Sequence, residues 1–208
     1  MIALPDQLFT SLETSGWAMS DEVIPVEWRH SLKEASQTLF EAGQFHDALI
    51  GQHASRQKNT DIRGDSICWV DPHLPPYAAH PFFLFLADLR QTLNQTYFLG
   101  LRSEELHFAR YGSGYGYKKH LDQHRNCPHR KISVVLYLNE DWGPDDGGEL
   151  CLYEAGNAGL ERVTRLLPTP GRFVVFRSDQ IWHEVLPTRK TRWSLTGWFR
   201  DDLPQILA

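Results

Sequence analysis

The chain has 208 residues, enough for one domain with a sizeable core, and 41% hydrophobic with 23% charged residues is an ordinary globular composition. A formal net charge of −5 gives no general attraction to nucleic acid, whose backbone rewards basic faces. The three cysteines, Cys68, Cys127 and Cys151, form neither a disulfide framework nor a zinc knuckle, so a reducing cytosol is the expected home.

Residues 1–30 scatter Asp6, Glu13, Asp21, Glu22 and Glu27 and contain no continuous apolar run. That predicts no signal peptide and no membrane span, hence a cytoplasmic protein. The first hundred residues read mostly as helix. Trp28, Leu32, Ala35, Leu39 and Phe40 recur at near-helical spacing between Pro25 and Gly43. A second helix is expected around residues 44–55, and a third from about Pro81 to Tyr97, striped by Phe82, Phe85, Leu86, Leu89 and Leu93. Between them Ile62 to Val70 reads as a strand, followed by a loop with Pro72, Pro75 and Pro76.

From Glu105 the texture changes to short strands separated by glycine and proline. Candidates are 105–111, 117–122, 131–138, 149–153, 172–177, 181–186 and 191–199. Mostly antiparallel strands after a helical half predict an α+β fold, a double-sheet jelly roll backed by N-terminal helices. One domain over 1–208 is expected, with helical support over about 1–100 and the jelly-roll core over about 101–200.

Within that core, His120-Leu121-Asp122 is followed some sixty residues later by His183. On a strand residues i and i+2 share a face, so His120 and Asp122 point one way and Leu121 turns into the outer packing. His183 shares its face with Ile181 and Val185. Two histidines and one carboxylate can cap one face of iron(II) and leave the opposite positions open. A His-x-Asp triplet alone arises often by chance, and the order of the whole set is what gives it weight. His124 and His129 lie beside Arg125, Arg130 and Lys131 in a solvated segment and are read as non-ligands.

Arg192 follows His183 with eight residues between. Strand alternation puts Arg192, Ser194, Thr196 and Trp198 on one face and Trp193, Leu195 and Phe199 on the other. A guanidinium is a planar, permanently charged clamp for a carboxylate. Tyr137 shares a side with Ser133 and Val135 and can donate its hydroxyl to the same carboxylate. Metal triad and arginine together describe a non-haem iron oxygenase that uses 2-oxoglutarate.

At this point the chain resembles the prolyl-hydroxylase branch of the Fe(II)/2-oxoglutarate oxygenases, from about Ile62 to Arg200. The likeness rests on Ile62-Arg63-Gly64-Asp65, on Tyr111 through Tyr117-Lys118-Lys119-His120-Leu121-Asp122, and on Tyr137-Leu138-Asn139-Glu140-Asp141-Trp142. It continues through Gly147-Gly148-Glu149-Leu150, His183-Glu184-Val185-Leu186-Pro187, Arg192 and Thr196-Gly197-Trp198. The resemblance implies a double-stranded β-helix in which His120, Asp122 and His183 bind Fe(II). It implies that Arg192 and Tyr137 bind the distal carboxylate of 2-oxoglutarate, that Tyr111, Thr196 and Trp198 line the pocket, and that Arg63, Asp65 and Arg130 stand near the substrate entrance. The implied reaction consumes O2, with ascorbate a further candidate cofactor, hydroxylates an exposed prolyl residue of a protein, and yields succinate and CO2. Elongation factor Tu is the first candidate partner. Nucleic-acid demethylases of the superfamily carry a second arginine six residues after the first, where this chain has Trp198, so DNA demethylation is disfavoured. Segment 123–131 departs most from the oxygen-sensing members. The alternatives are an oxygenase for a small molecule or another side chain, and a non-catalytic jelly-roll binding module. Nothing in the sequence specifies an oligomeric state.

Overall fold

The computed structural model describes residues 6–48, 59–74, 76–77, 79–125, 127–156 and 161–203. Three helices come first, and each has a local reason to start and stop. α1 (Asp6–Ser15) buries Leu8 and Leu12, one turn apart. α2 (Val26–Glu41) begins after Pro25, whose extended backbone cannot continue a helix backwards, and stops where Gly43 takes φ +69°. α3 (Pro81–Tyr97) starts with proline at its first turn, and the His80 side chain accepts the Phe82 N–H at 3.2 Å. Its Phe82, Phe83, Phe85, Leu86, Leu89 and Leu93 are buried, each contributing on the order of 1.5–3 kcal/mol of apolar transfer.

The strands are β1 (Trp17–Ser20), β2 (His46–Asp47), β3 (Asp65–Val70), β4 (Ser103–Tyr111), β5 (Tyr117–His120) and β6 (Arg130–Tyr137), then β7 (Leu150–Ala155), β8 (Glu161–Leu166), β9 (Phe173–Arg177), β10 (Trp182–Val185) and β11 (Arg192–Arg200). They form a seven-stranded sheet of order β1-β9-β6-β11-β4-β3-β2 and a four-stranded sheet of order β5-β10-β7-β8. Every pairing is antiparallel.

β11 runs through the middle of the large sheet, flanked by β4 and β6. Its odd residues Trp193, Leu195 and Phe199 join the core formed with the helices. A second apolar layer lies between the sheets and includes Ile67, Ala109, Tyr111, Val135, Tyr137, Leu150, Leu152, Phe176 and Val185. The large sheet is therefore buried on both faces, and the jelly roll predicted from strand spacing is the fold observed.

The helix expected at 44–55 is not formed where it can be followed: His46 and Asp47 pair with Ile67 and Ser66 as β2. Neither residue is apolar, and a sheet edge supplies backbone hydrogen bonds that this short segment could not nucleate alone. Residues 49–55 of that expectation lie outside the described residues. The strand expected at 117–122 ends at His120, leaving Asp122 in a bend. α1, β1 and β8 had no forecast of their own. β8 exposes Glu161, Arg162, Val163 and Arg165 and shows no apolar alternation to read.

Gly197 sits where β11 passes closest to β4, and a Cβ there would collide with the Glu105 carbonyl oxygen and Leu106 Cδ2. Gly197→Ala should lower the free energy of unfolding by about 1–3 kcal/mol through overpacking, read from urea denaturation; an unchanged midpoint would mean that β4 yields freely.

Candidate active site

β5 and β10 pair so that His120 lies directly opposite His183. Asp122, two residues beyond, reaches the same point. His120 Nε2 is 3.6 Å from Asp122 Oδ1 and His183 Nε2 is 3.5 Å from Asp122 Oδ2. One ligand atom from each of the three lies within 4.8 Å of the others, close enough to share one ion.

Each histidine's other nitrogen is already engaged. His120 Nδ1 lies 2.8 Å from the Lys118 carbonyl and His183 Nδ1 3.0 Å from that of Ile181. A carbonyl only accepts, so both protons sit on Nδ1 and both Nε2 atoms present lone pairs to the metal position. Asp122 Oδ2 accepts from Ser133 Oγ at 2.7 Å, and Ser133 in turn contacts Ser178 Oγ at 2.8 Å. Burial works to raise the Asp122 pKa, but the two histidines and the Ser133 hydroxyl outweigh it and hold the carboxyl well below its ordinary range. Burial lowers His183 to about 4, against the pull of Asp122, so the imidazole is neutral at pH 7, as a metal ligand must be. Two imidazoles and an ionised carboxylate suit iron(II) and leave positions free for a bidentate cosubstrate.

The facing wall comes from the large sheet. Arg192 is 2% exposed and donates through Nε to the Gly148 carbonyl at 3.0 Å. Gly148 takes φ +70°, and a Cβ there would press on Arg192 Cδ and Thr188, so glycine is what lets the carbonyl reach the arginine. Among the described residues Arg192 forms no ion pair, whereas the two other cleft arginines are paired. Arg63 holds Asp65 through two bonds of 2.7 and 2.9 Å, and Arg130 holds Glu105 through two of 3.2 and 2.7 Å. The Arg192 guanidinium lies 5.2 Å from the Tyr111 ring centre and 4.8 Å from that of Tyr137. Among the described residues the buried Tyr137 hydroxyl has no hydrogen-bond partner. Burial raises the pKa of both phenols, so both remain donors. An unpaired buried guanidinium beside an unpartnered hydroxyl is the chemistry that a carboxylate completes, and the residues present fit 2-oxoglutarate.

The cleft spans about 670 Å³ and opens to solvent. Every residue assigned from the sequence lines it except Tyr137, whose ring packs against the Arg192 guanidinium. Thr196 and Trp198 come from β11, Arg63 and Asp65 from the entry to β3, and Arg130 from the start of β6. Leu121 also lines the cleft instead of turning into outer packing, because regular alternation stops with β5. His124 faces the cleft, while His129 pairs with Asp201 at 2.8 Å.

His107 went unmarked in the sequence. It is buried on β4 between Trp69 and Trp198, with ring centres 4.9 and 5.4 Å away, and its Nδ1 is unpartnered among the described residues. Its parity with Ala109 and Tyr111 was the available signal. Ser178 offered no such signal, since it meets Ser133 only across the fold.

Comparison with known proteins places this geometry. The 2OG-Fe(II) oxygenase superfamily matches residues 106–200, which contain the triad, Tyr137 and Arg192. The chain is 36% identical to a Pseudomonas putida prolyl-4-hydroxylase of known structure and superposes on it with a TM-score of 0.81, over 94% of this chain and 98% of that one. A Trichoplax adhaerens prolyl hydroxylase, in complex with a hypoxia inducible factor oxygen degradation domain peptide fragment, is 27% identical with a TM-score of 0.80, over 94% and 88% of the two chains. Human Egl nine homolog 1 is 27% identical over 195 residues, 89% of this chain and 44% of that protein. This chain spans about half the length of the Egl nine homologs it matches. It belongs to the prolyl-hydroxylase branch of the 2OG-Fe(II) oxygenase superfamily, a family whose metal is iron(II) and whose cosubstrates are 2-oxoglutarate and O2.

Burial also sets a pH dependence. It lowers His107 to about 3 and His183 to about 4, so between pH 6.5 and 4 the unfolded chain binds protons there that the folded chain refuses. Stability of the metal-free protein should fall as pH drops through that window. His107→Phe should flatten the slope by up to one proton, about 1.4 kcal/mol per pH unit. Urea titrations at pH 7, 6 and 5 measure it, and parallel slopes for the two proteins would contradict it.

Proposed function

We propose that this chain is a single catalytic domain that hydroxylates an exposed prolyl residue of a protein substrate. The observation that carries the reading is Arg192, buried without a carboxylate partner among the described residues and set beside the free Tyr137 hydroxyl. An uncompensated buried charge is costly, and the distal carboxylate of 2-oxoglutarate supplies its counter-ion.

His120, Asp122 and His183 would hold the iron, two through lone pairs aimed by backbone carbonyls. Bound iron, with 2-oxoglutarate and O2, supplies the oxidising power that turns C–H into C–OH while the acid leaves as succinate and CO2. The protein's own share is placement. Arg192 and Tyr137 fix the far end of the acid, Tyr111, Thr196 and Trp198 wall it from water, and Arg63, Asp65 and Arg130 stand at the entrance, their charges neutralised within the protein. Ascorbate is a candidate accessory cofactor on the family resemblance alone. The prolyl substrate is supported by the named activities of the Pseudomonas and Trichoplax proteins, and elongation factor Tu is the first partner to test. No helix among the described residues is long and apolar enough to cross a membrane; with three unpaired cysteines, we place the protein in the cytoplasm.

A cell lysate supplied with Fe(II) and 2-oxoglutarate should, on adding the wild type, yield a peptide whose proline gains one oxygen. The Asp122→Ala variant should leave it unchanged. Oxygen on a lysine or asparagine, or succinate release with no modified protein, would replace the prolyl assignment. Arg192→Met should raise KM for 2-oxoglutarate by about 10- to 150-fold, the worth of a charged hydrogen bond of about 1.5–3 kcal/mol; an unchanged KM would place the clamp elsewhere.

A further inference from the structure

His120 is the least enclosed member of the triad, with 20% of its side chain exposed against 7% for His183 and 9% for Asp122. The other two are gripped from the fold's interior. His183 packs on Phe176 with ring centres 4.7 Å apart, and Asp122 is tied to Ser133. His120 instead ends β5, the edge strand of the small sheet. Its Nδ1–H donates to the Lys118 carbonyl of its own strand. A ring held at one atom by its own strand can still tip its other nitrogen away from the metal position.

What stops that is a stack. The Tyr117 ring lies 3.7 Å from the His120 ring, centre to centre, with 20° between their planes. The Arg63 guanidinium packs over the same Tyr117 ring at 4.8 Å. Arg63 cannot wander, because buried Asp65 holds it through both carboxylate oxygens. The backbone repeats the connection. Lys118 N–H donates to the Ile62 carbonyl at 2.8 Å, Gly64 N–H donates to the Gly116 carbonyl at 3.0 Å, and Arg63 and Tyr117 form the bridge between them. The segment entering β3 of the large sheet is thus laced to the edge strand of the small sheet at the two residues that make the stack.

We propose that Tyr117, held by Arg63 and Asp65, is a positioning residue for the metal ligand His120, aiming its Nε2 before the ion arrives. This rests on reading His120 as a ligand. It gives the Arg-Gly-Asp triplet at 63–65 a task at the metal as well as a place on the cleft wall. Outer partners of metal ligands act by orienting them, and losing one costs about 10- to 100-fold in affinity.

Cobalt(II) titrated into the full chain and followed by its visible ligand-field bands tests this without turnover. Tyr117→Leu should bind cobalt about 10- to 100-fold more weakly, with altered bands, while Tyr117→Phe, which keeps the ring face, should match the wild type in both. A merely structural role would lower the melting temperature of the metal-free protein and leave the bands of the bound form unmoved. Wild-type affinity and bands in Tyr117→Leu overturn the proposal. Should that variant not fold, Arg63→Met combined with Asp65→Leu removes the cap as a neutral pair, and the same weakening is expected; wild-type binding there overturns it equally. Wild-type cobalt binding that survives His120→Ala would sink the triad reading itself, and the positioning role with it.

Discussion

The placement of His120 opposite His183 across β5 and β10 is the constraint on which the site depends. Strand alternation brings both rings to the inner face of the small sheet, and the bend after His120 carries Asp122 toward Ser133 on the large sheet. The triad therefore spans the gap between the sheets instead of decorating one of them. A one-residue slip of β10 would turn His183 outward and leave Asp122 buried without its neighbours.

The large sheet makes that gap habitable by keeping its two faces chemically distinct. Toward the helices it presents Trp193, Leu195 and Phe199 to a continuous apolar core; toward the cleft β11 presents Arg192, Ser194, Thr196 and Trp198. Stability comes chiefly from the first face, which allows the second to carry unsatisfied groups. The Tyr137 hydroxyl, His107 Nδ1 and Trp198 Nε1 are all buried and unpartnered among the described residues, each a cost of about 1–3 kcal/mol. Such violations of polar satisfaction concentrate where a ligand completes them.

Charge follows the same division of labour. Arg63 and Arg130 also line the cleft, yet each is neutralised by its own carboxylate, and Arg200 joins Arg130 on Glu105. Arg192 alone of the three cleft arginines lacks that partner among the described residues. A cleft built this way leaves one arginine charge uncompensated among its described residues, at one depth.

Much of this was legible in the residues themselves. Proline and glycine bounded α2, the phenylalanine and leucine stripe marked α3, and two-residue alternation sorted β11 into a core face and a cleft face, because these patterns follow from backbone periodicity alone. The grouping of His120, Asp122 and His183 was readable because the chemistry admits few residue types at that order and spacing, and Arg192 and Tyr137 were proposed beside it on the same ground. The fold decided the rest. The polar pair His46 and Asp47 became a strand only because Ile67 and Ser66 offered an open edge. β8 carries no pattern of its own, since it lies at an edge with most of its side chains in solvent. Leu121 faces the cleft because alternation lapsed in the bend that aims Asp122. Ser178 on Ser133 and the lack of a carboxylate partner for Arg192 among the described residues are relations between segments distant in sequence, and such relations exist only once the two sheets have closed on each other.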